Sequence, residues 1–167
     1  MTTGVAHDVS PSSCWYFAYG SNMNPARVRE RGLSYCYLLP ATLAGHQLFF
    51  NKTASPAGAG HANIEAAPGD RVEGVLYQLV DDNEIERMDP FERVPINYRR
   101  ELVELATSLG PIQAWTYFAN PTVVAADLLP KTAYLAHLLV GVPFVSVAYA
   151  RGLAQQPTFD RSNSDAL

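Results

Sequence analysis

The chain has 167 residues, 48% hydrophobic and 17% charged, with a net charge of -4. That length gives one domain with a real core. The acidic balance argues against nucleic acid or an anionic membrane surface as a partner.

The first 13 residues are small and polar and are expected to form a flexible terminus. Trp15 to Tyr19 is rich in aromatic residues and suits a buried strand. Gly20-Ser21-Asn22 then makes a tight loop, with Gly20 where the backbone must turn sharply. Asn22 or Asn24 can cap the next helix, Pro25 fits its first turn, and Gly32 is placed to end it. A glycine loop between strand and helix points several N–H groups at one spot, which attracts a carboxylate or an anionic oxygen. Arg27, Arg29 and Arg31 alternate along that helix, so they are expected on a solvated surface.

Tyr35–Leu39 is expected to be a strand ended by Pro40. Thr42–Phe50 is a second strand, with Gly45 at a bulge or bend. Residues 55–60 are a flexible loop, either a connector or a flap over a site. Ala62–Ala66 is a short strand, followed by a turn at Pro68-Gly69-Asp70. Arg71–Val80 is apolar on both faces and reads as an interior strand. Within it, Glu73 is either a catalytic carboxylate or one that faces solvent at a strand end.

Asp81, with Glu84 three residues on, resembles a capping box opening a short helix, which Pro90 ends. Asn97–Leu105 and Ile112–Ala119 are two more strands. From Pro130 the period changes: Tyr134, Leu135, Leu138 and Leu139 form a helical apolar face closed by Gly141. Residues 143–153 suit strand by propensity and helix by their alanines. The tail from Gln155 resembles the N-terminus. Six or seven strands followed by one or two helices give an α+β domain over 14–155, with 156–167 as a second flexible terminus.

Cys14 and Cys36 do not make a disulfide framework and read as small buried hydrophobes. His7, His46, His61 and His137 lack metal-ligand spacing, so no metal is expected. No secretory signal and no membrane-length apolar run is seen, which makes the cytoplasm the expected location.

Two residues offer chemistry. Ser21 is a loop hydroxyl that lacks the GxSxG setting of a hydrolase. Glu92 sits in a corner after a proline, with Phe91, Val94 and Ile96 nearby. There it is either a desolvated proton carrier or a loop glutamate paired with Arg93 or Arg99.

The series FAYGSNM, then ANIEAAPGDRVEGVLYQL, then MDPFERVPINYRRELVEL, then WTYFA resembles the gamma-glutamylcyclotransferase family over residues 16–153. The resemblance implies a small mixed, mainly antiparallel β-barrel with flanking helices, and makes 143–153 helical. It implies Glu92 as the catalytic acid and base. It also implies a substrate-binding set of Tyr19, Gly20, Ser21, Asn22, Tyr98 and Tyr117. In one branch a glycine follows the glutamate, where this chain has Arg93, while Pro95 is closer to the gamma-glutamylamine branch. The implied reaction needs no cofactor and releases 5-oxoproline from a small gamma-glutamyl compound, or from one carried on a protein. The protein would act as a monomer or homodimer. The alternatives are a non-catalytic module that binds gamma-glutamyl or carboxylate groups, and a hydrolase dependent on Ser21.

Overall fold

The computed structural model describes residues 14–160. The expectations for 1–13 and for 161–167 fall outside them. Five strands form one sheet: β1 (Trp15–Ala18), β2 (Tyr35–Thr53), β3 (Gly60–Leu79), β4 (Tyr98–Leu105) and β5 (Ile112–Ala119), in the order β2-β3-β1-β5-β4. All neighbours are antiparallel except β1 and β5. Three helices accompany it: α1 (Pro25–Glu30), α2 (Thr132–Val140) and α3 (Val147–Ala154). The fold is α+β, as expected. The ladder stays open, but Thr42 and Ala106 exchange two backbone hydrogen bonds of 3.0 and 2.9 Å. That bridge ties edge strand β2 to the end of β4 and gives the sheet its barrel-like curl.

There are fewer strands than the sequence suggests because two pairs have merged. β2 runs straight through Pro40, which an edge strand tolerates because one side of its backbone has no ladder partner. β3 runs through Pro68-Gly69-Asp70. Its pairing with β2 jumps from Ala44–Arg71 to His46–Ala66, so Gly45 faces the extra residues 67–70. The predicted turn and the predicted bulge are thus one interruption seen from its two strands. Gly45 has φ +72, a conformation that glycine adopts without strain.

The core lies on β1 and β3, where Phe17, Ile64, Val72, Val75, Leu76 and Tyr77 are buried. Leu135 and Leu138 of α2 and Leu153 of α3 belong to the same cluster. Residues 147–154 are helical, against their β propensity, because Ser146 caps them by accepting from Tyr149 N. Glu73 holds that cap in place. It is buried (7% exposed) and its carboxylate accepts from Ser146 N at 2.7 Å and Ser146 Oγ at 2.8 Å. Its role is therefore structural, neither catalytic nor solvent-facing. Ser146→Ala should cost about 1 kcal/mol of stability, read as a lower midpoint in chemical denaturation.

Two other expectations change. Cys36 is exposed rather than buried, and Cys14 is half-buried; both are free thiols. The chain also does not leave the domain at residue 155: Thr158 is buried, its Oγ bonds Thr132 Oγ at 3.1 Å, and Phe159 N donates to Pro130 O. Among the described residues no helix is long and apolar enough to cross a membrane.

Candidate active site

The strand directions bring the site to one end of the sheet. β1 and β5 are parallel, so Ala18 and Ala119 end together, and antiparallel β4 starts beside them, with Tyr98 opposite Ala119. The loop after β1 and the corner before β4 therefore face the same space. The far ends of β2 and β3 reach past β1 and close it from the other side, where Tyr98 Oη donates to Ala62 O at 2.8 Å. The result is a cavity of about 490 Å³ that touches Gly20, Ser21, Asn22 and Glu92 together. Tyr19, Tyr98 and Tyr117 also line it, so every predicted site residue meets there.

Ser21–Met23 forms a short 3-10 turn, closed by Met23 N donating to Gly20 O at 3.0 Å. As the turn's first residues, Ser21 and Asn22 have no carbonyl within it for their N–H groups. Asn24 caps α1 by accepting from Ala26 N, and Pro25 starts the helix. Gly20 has φ -110, so no left-handed turn demands glycine here. Close approach does: a Cβ would lie 3.1 Å from Ala62 Cβ and 3.2 Å from Tyr134 Oη.

Glu92 lies in a tightly wound corner. Its N–H donates to Met88 O at 3.2 Å, while Asn120 Nδ2 ties the corner to the end of β5 through Pro95 O and Ile96 O. The Glu92 side chain is only 18% exposed. Burial raises its pKa above the ordinary carboxylate value, opposed chiefly by the Arg31 guanidinium at 3.7 Å and then by Lys52 and Arg27. The expected partners Arg93 and Arg99 are not used: Arg99 pairs with Glu101 at 2.7 Å. Nor is Ile96 part of the apolar shell, since it is 67% exposed.

Asn22 links the loop to the acid. Its Nδ2 donates to Tyr16 Oη at 2.9 Å and reaches Glu92 Oε1 at 3.4 Å, while its Oδ1 accepts from Arg31 Nη1 at 3.2 Å. The side chain thus positions Glu92 and Arg31, and the Ser21 backbone N–H is directed at Tyr134 Oη. The tyrosines are similarly committed. Tyr19 Oη donates to Tyr117 O at 2.6 Å, and Tyr117 Oη donates to Asp89 Oδ1 at 2.7 Å. Their rings and that of Tyr98 wall the cavity, and burial pushes all three phenols' pKa upward. Ser21 Oγ accepts from Arg27 Nε at 3.1 Å, and arginine cannot act as a base toward it.

Several wall residues escaped the sequence reading. Arg27 and Arg31 are four apart, which places both on one side of α1, and both line the cavity. Arg29 lies outside it and donates to Tyr35 Oη. The i, i+4 spacing was the available signal, hidden by the alternation. Tyr134 Oη accepts from Ala62 N at 2.9 Å, and burial pushes its pKa up to about 12. His61 stacks on Tyr134 with centroids 4.4 Å apart, and burial lowers it to about 4, so it is neutral at pH 7.

A model of the family described as gamma-glutamyl cyclotransferase, AIG2-like, matches residues 16–136. An uncharacterized human protein of known structure is 26% identical, with a TM-score of 0.77 over 87% of this chain and 89% of its own. A gamma-glutamyl cyclotransferase shares the fold at 24% identity, with a TM-score of 0.74 over 87% of this chain and 89% of that one. A yeast gamma-glutamyl cyclotransferase specific to glutathione shares it at 14%, with a TM-score of 0.58 over 83% and 93%. No curated protein matches the chain. With most of its length matched, from the first strand into α2, the chain belongs to the gamma-glutamyl cyclotransferase, AIG2-like family.

Proposed function

We propose that this protein is a gamma-glutamyl cyclotransferase that works without a cofactor. The observation that carries the reading is one cavity shared by the Gly20–Asn22 loop and a half-buried carboxylate with a raised pKa. The substrate's α-amine is cationic at neutral pH and must lose a proton before it can attack. Glu92 takes that proton. The amine nitrogen then bonds to the γ-carbonyl carbon of the same molecule and closes a five-membered ring. Glu92 returns that proton to the leaving nitrogen as its bond to carbon breaks, then takes the second proton from the ring nitrogen and passes it to the released amine. The products are 5-oxoproline and an amine or amino acid.

Nucleophile and electrophile share one molecule, so the site's main task is to fold the glutamyl chain into closing geometry. The N–H of Asn22 holds one of its oxygens. Burial among the aromatic walls holds the carboxylate's pKa above its ordinary value, which suits a proton carrier.

Mass spectrometry across a panel of gamma-glutamyl compounds should detect 5-oxoproline from at least one. No release from any would leave the binding-module reading. The acid limb of the pH–rate profile should lie above the ordinary carboxylate range, with activity lost as pH falls and Glu92 protonates. Arg31 is the main cation that lowers this pKa. Arg31→Met should therefore move the limb to higher pH, and an unmoved limb would detach Glu92 from the titration.

A further inference from the structure

The cavity carries more positive charge than a gamma-glutamyl group can use. Arg27, Arg31, Lys52 and Arg93 line it against one carboxylate, Glu92. A gamma-glutamyl group is a zwitterion, with one ammonium and one carboxylate, and brings no net charge. Arg27 is bonded to Ser21, and Arg31 to Glu92 and Asn22. Lys52 differs. It is half-buried near the end of β2, and its ammonium lies 5.9 Å from the Tyr98 ring centroid. Among the described residues no carboxylate lies within ion-pair distance of that ammonium, although Glu92 is near enough to attract it. Burial lowers its pKa, opposed by the attraction of Glu92.

Its position says which half of a substrate it meets. The strand leads from Lys52 into Thr53, Ala54 and Ser55, which also line the cavity, and Thr53 and Ser55 are exposed. Lys52 therefore stands on the wall that leads to the cavity's opening. The leaving portion of any substrate larger than a simple amide must extend toward that opening.

We infer that Lys52 is a specificity residue that pairs with a carboxylate on the leaving portion, so the substrates are gamma-glutamyl amino acids or peptides rather than neutral gamma-glutamyl amines. This rests on the cyclotransferase reading. Arg93, exposed on the rim of the same cavity, adds to the attraction as the substrate arrives.

The test compares gamma-glutamylalanine with gamma-glutamylalaninamide, which differ by one charge. The full chain should favour the carboxylate in kcat/KM, and Lys52→Met should lower that preference by about 10–100-fold, mostly through KM. Methionine keeps a stem to pack on Tyr98, and Lys52→Arg should retain the preference. No preference in the unaltered chain overturns the assignment without any variant. So does an equal fall on both compounds in Lys52→Met, because the lysine would then serve the glutamyl half. If the unaltered chain releases 5-oxoproline from neither compound, nor from any other gamma-glutamyl compound, the cyclotransferase reading itself fails and this assignment fails with it.

Discussion

Glu92→Gln is expected to fold normally and to lose 5-oxoproline release by about 10²–10⁴-fold, the usual cost of removing a positioned acid and base. Glutamine has the same shape and can still accept from Asn22 Nδ2, which reaches Glu92 Oε1 at 3.4 Å. It cannot carry a proton. The expected stability change has a definite sign. Glu92 is harder to ionise in the folded chain than in the unfolded one, because burial outweighs the nearby cations. Below the ordinary carboxylate pKa it is neutral in both states and costs nothing. As pH rises through its folded value, stability is lost in the unaltered chain but not in the glutamine variant. Thermal midpoints should therefore separate in favour of Glu92→Gln between acid and neutral pH. Retained turnover in this variant would remove Glu92 from the chemistry, whatever its geometry.

Gly74→Val is expected to be strongly damaging although it lies outside the cavity. Gly74 of β3 passes so close to β1 that a Cβ would lie 2.3 Å from Ala18 O and 2.9 Å from the Phe17 ring. Backbone cannot yield as a flexible side chain does, so β1 must shift or separate. Overpacking of this kind costs about 3 kcal/mol, roughly 6–12 °C in Tm for a domain of this size. Ala18 directly precedes Tyr19 and the loop, so surviving folded protein should also lose activity. Scanning calorimetry checks the first effect and the 5-oxoproline assay the second. A Tm within 2 °C of the unaltered chain would mean that β1 and β3 do not approach so closely in solution.

Much of the site could be read from residues alone. Gly20, Asn22 and Glu92 stood out by local chemistry, and the resemblance added Tyr19, Tyr98 and Tyr117; all six line one cavity. β5 spans its predicted residues, and β4 begins one residue later than expected. What local patterns could not give was pairing. Pro40 and Pro68-Gly69-Asp70 carry strong breaking signals, yet the ladder between β2 and β3 overrides both. The partner of Glu92 was also out of reach, because Arg31 lies on another element and only the tertiary fold brings them to 3.7 Å. Tyr134 fitted a helix face, and nothing local showed that its hydroxyl would meet Ala62 N.

The parallel pairing of β1 with β5 has a consequence for how the protein comes into being. Thr116 Oγ donates to Phe17 O across 99 residues of chain. The walls of the cavity therefore have no shape until β5 has been synthesised and has found β1. Such distant pairing is slow, since loop-closure entropy must be overcome before any contact rewards it. The hairpin of β2 and β3 can form early, but it has nothing to enclose. A complete cavity should thus be among the last properties acquired during folding, appearing only after the final strand has docked and α2 has brought Tyr134 to its wall.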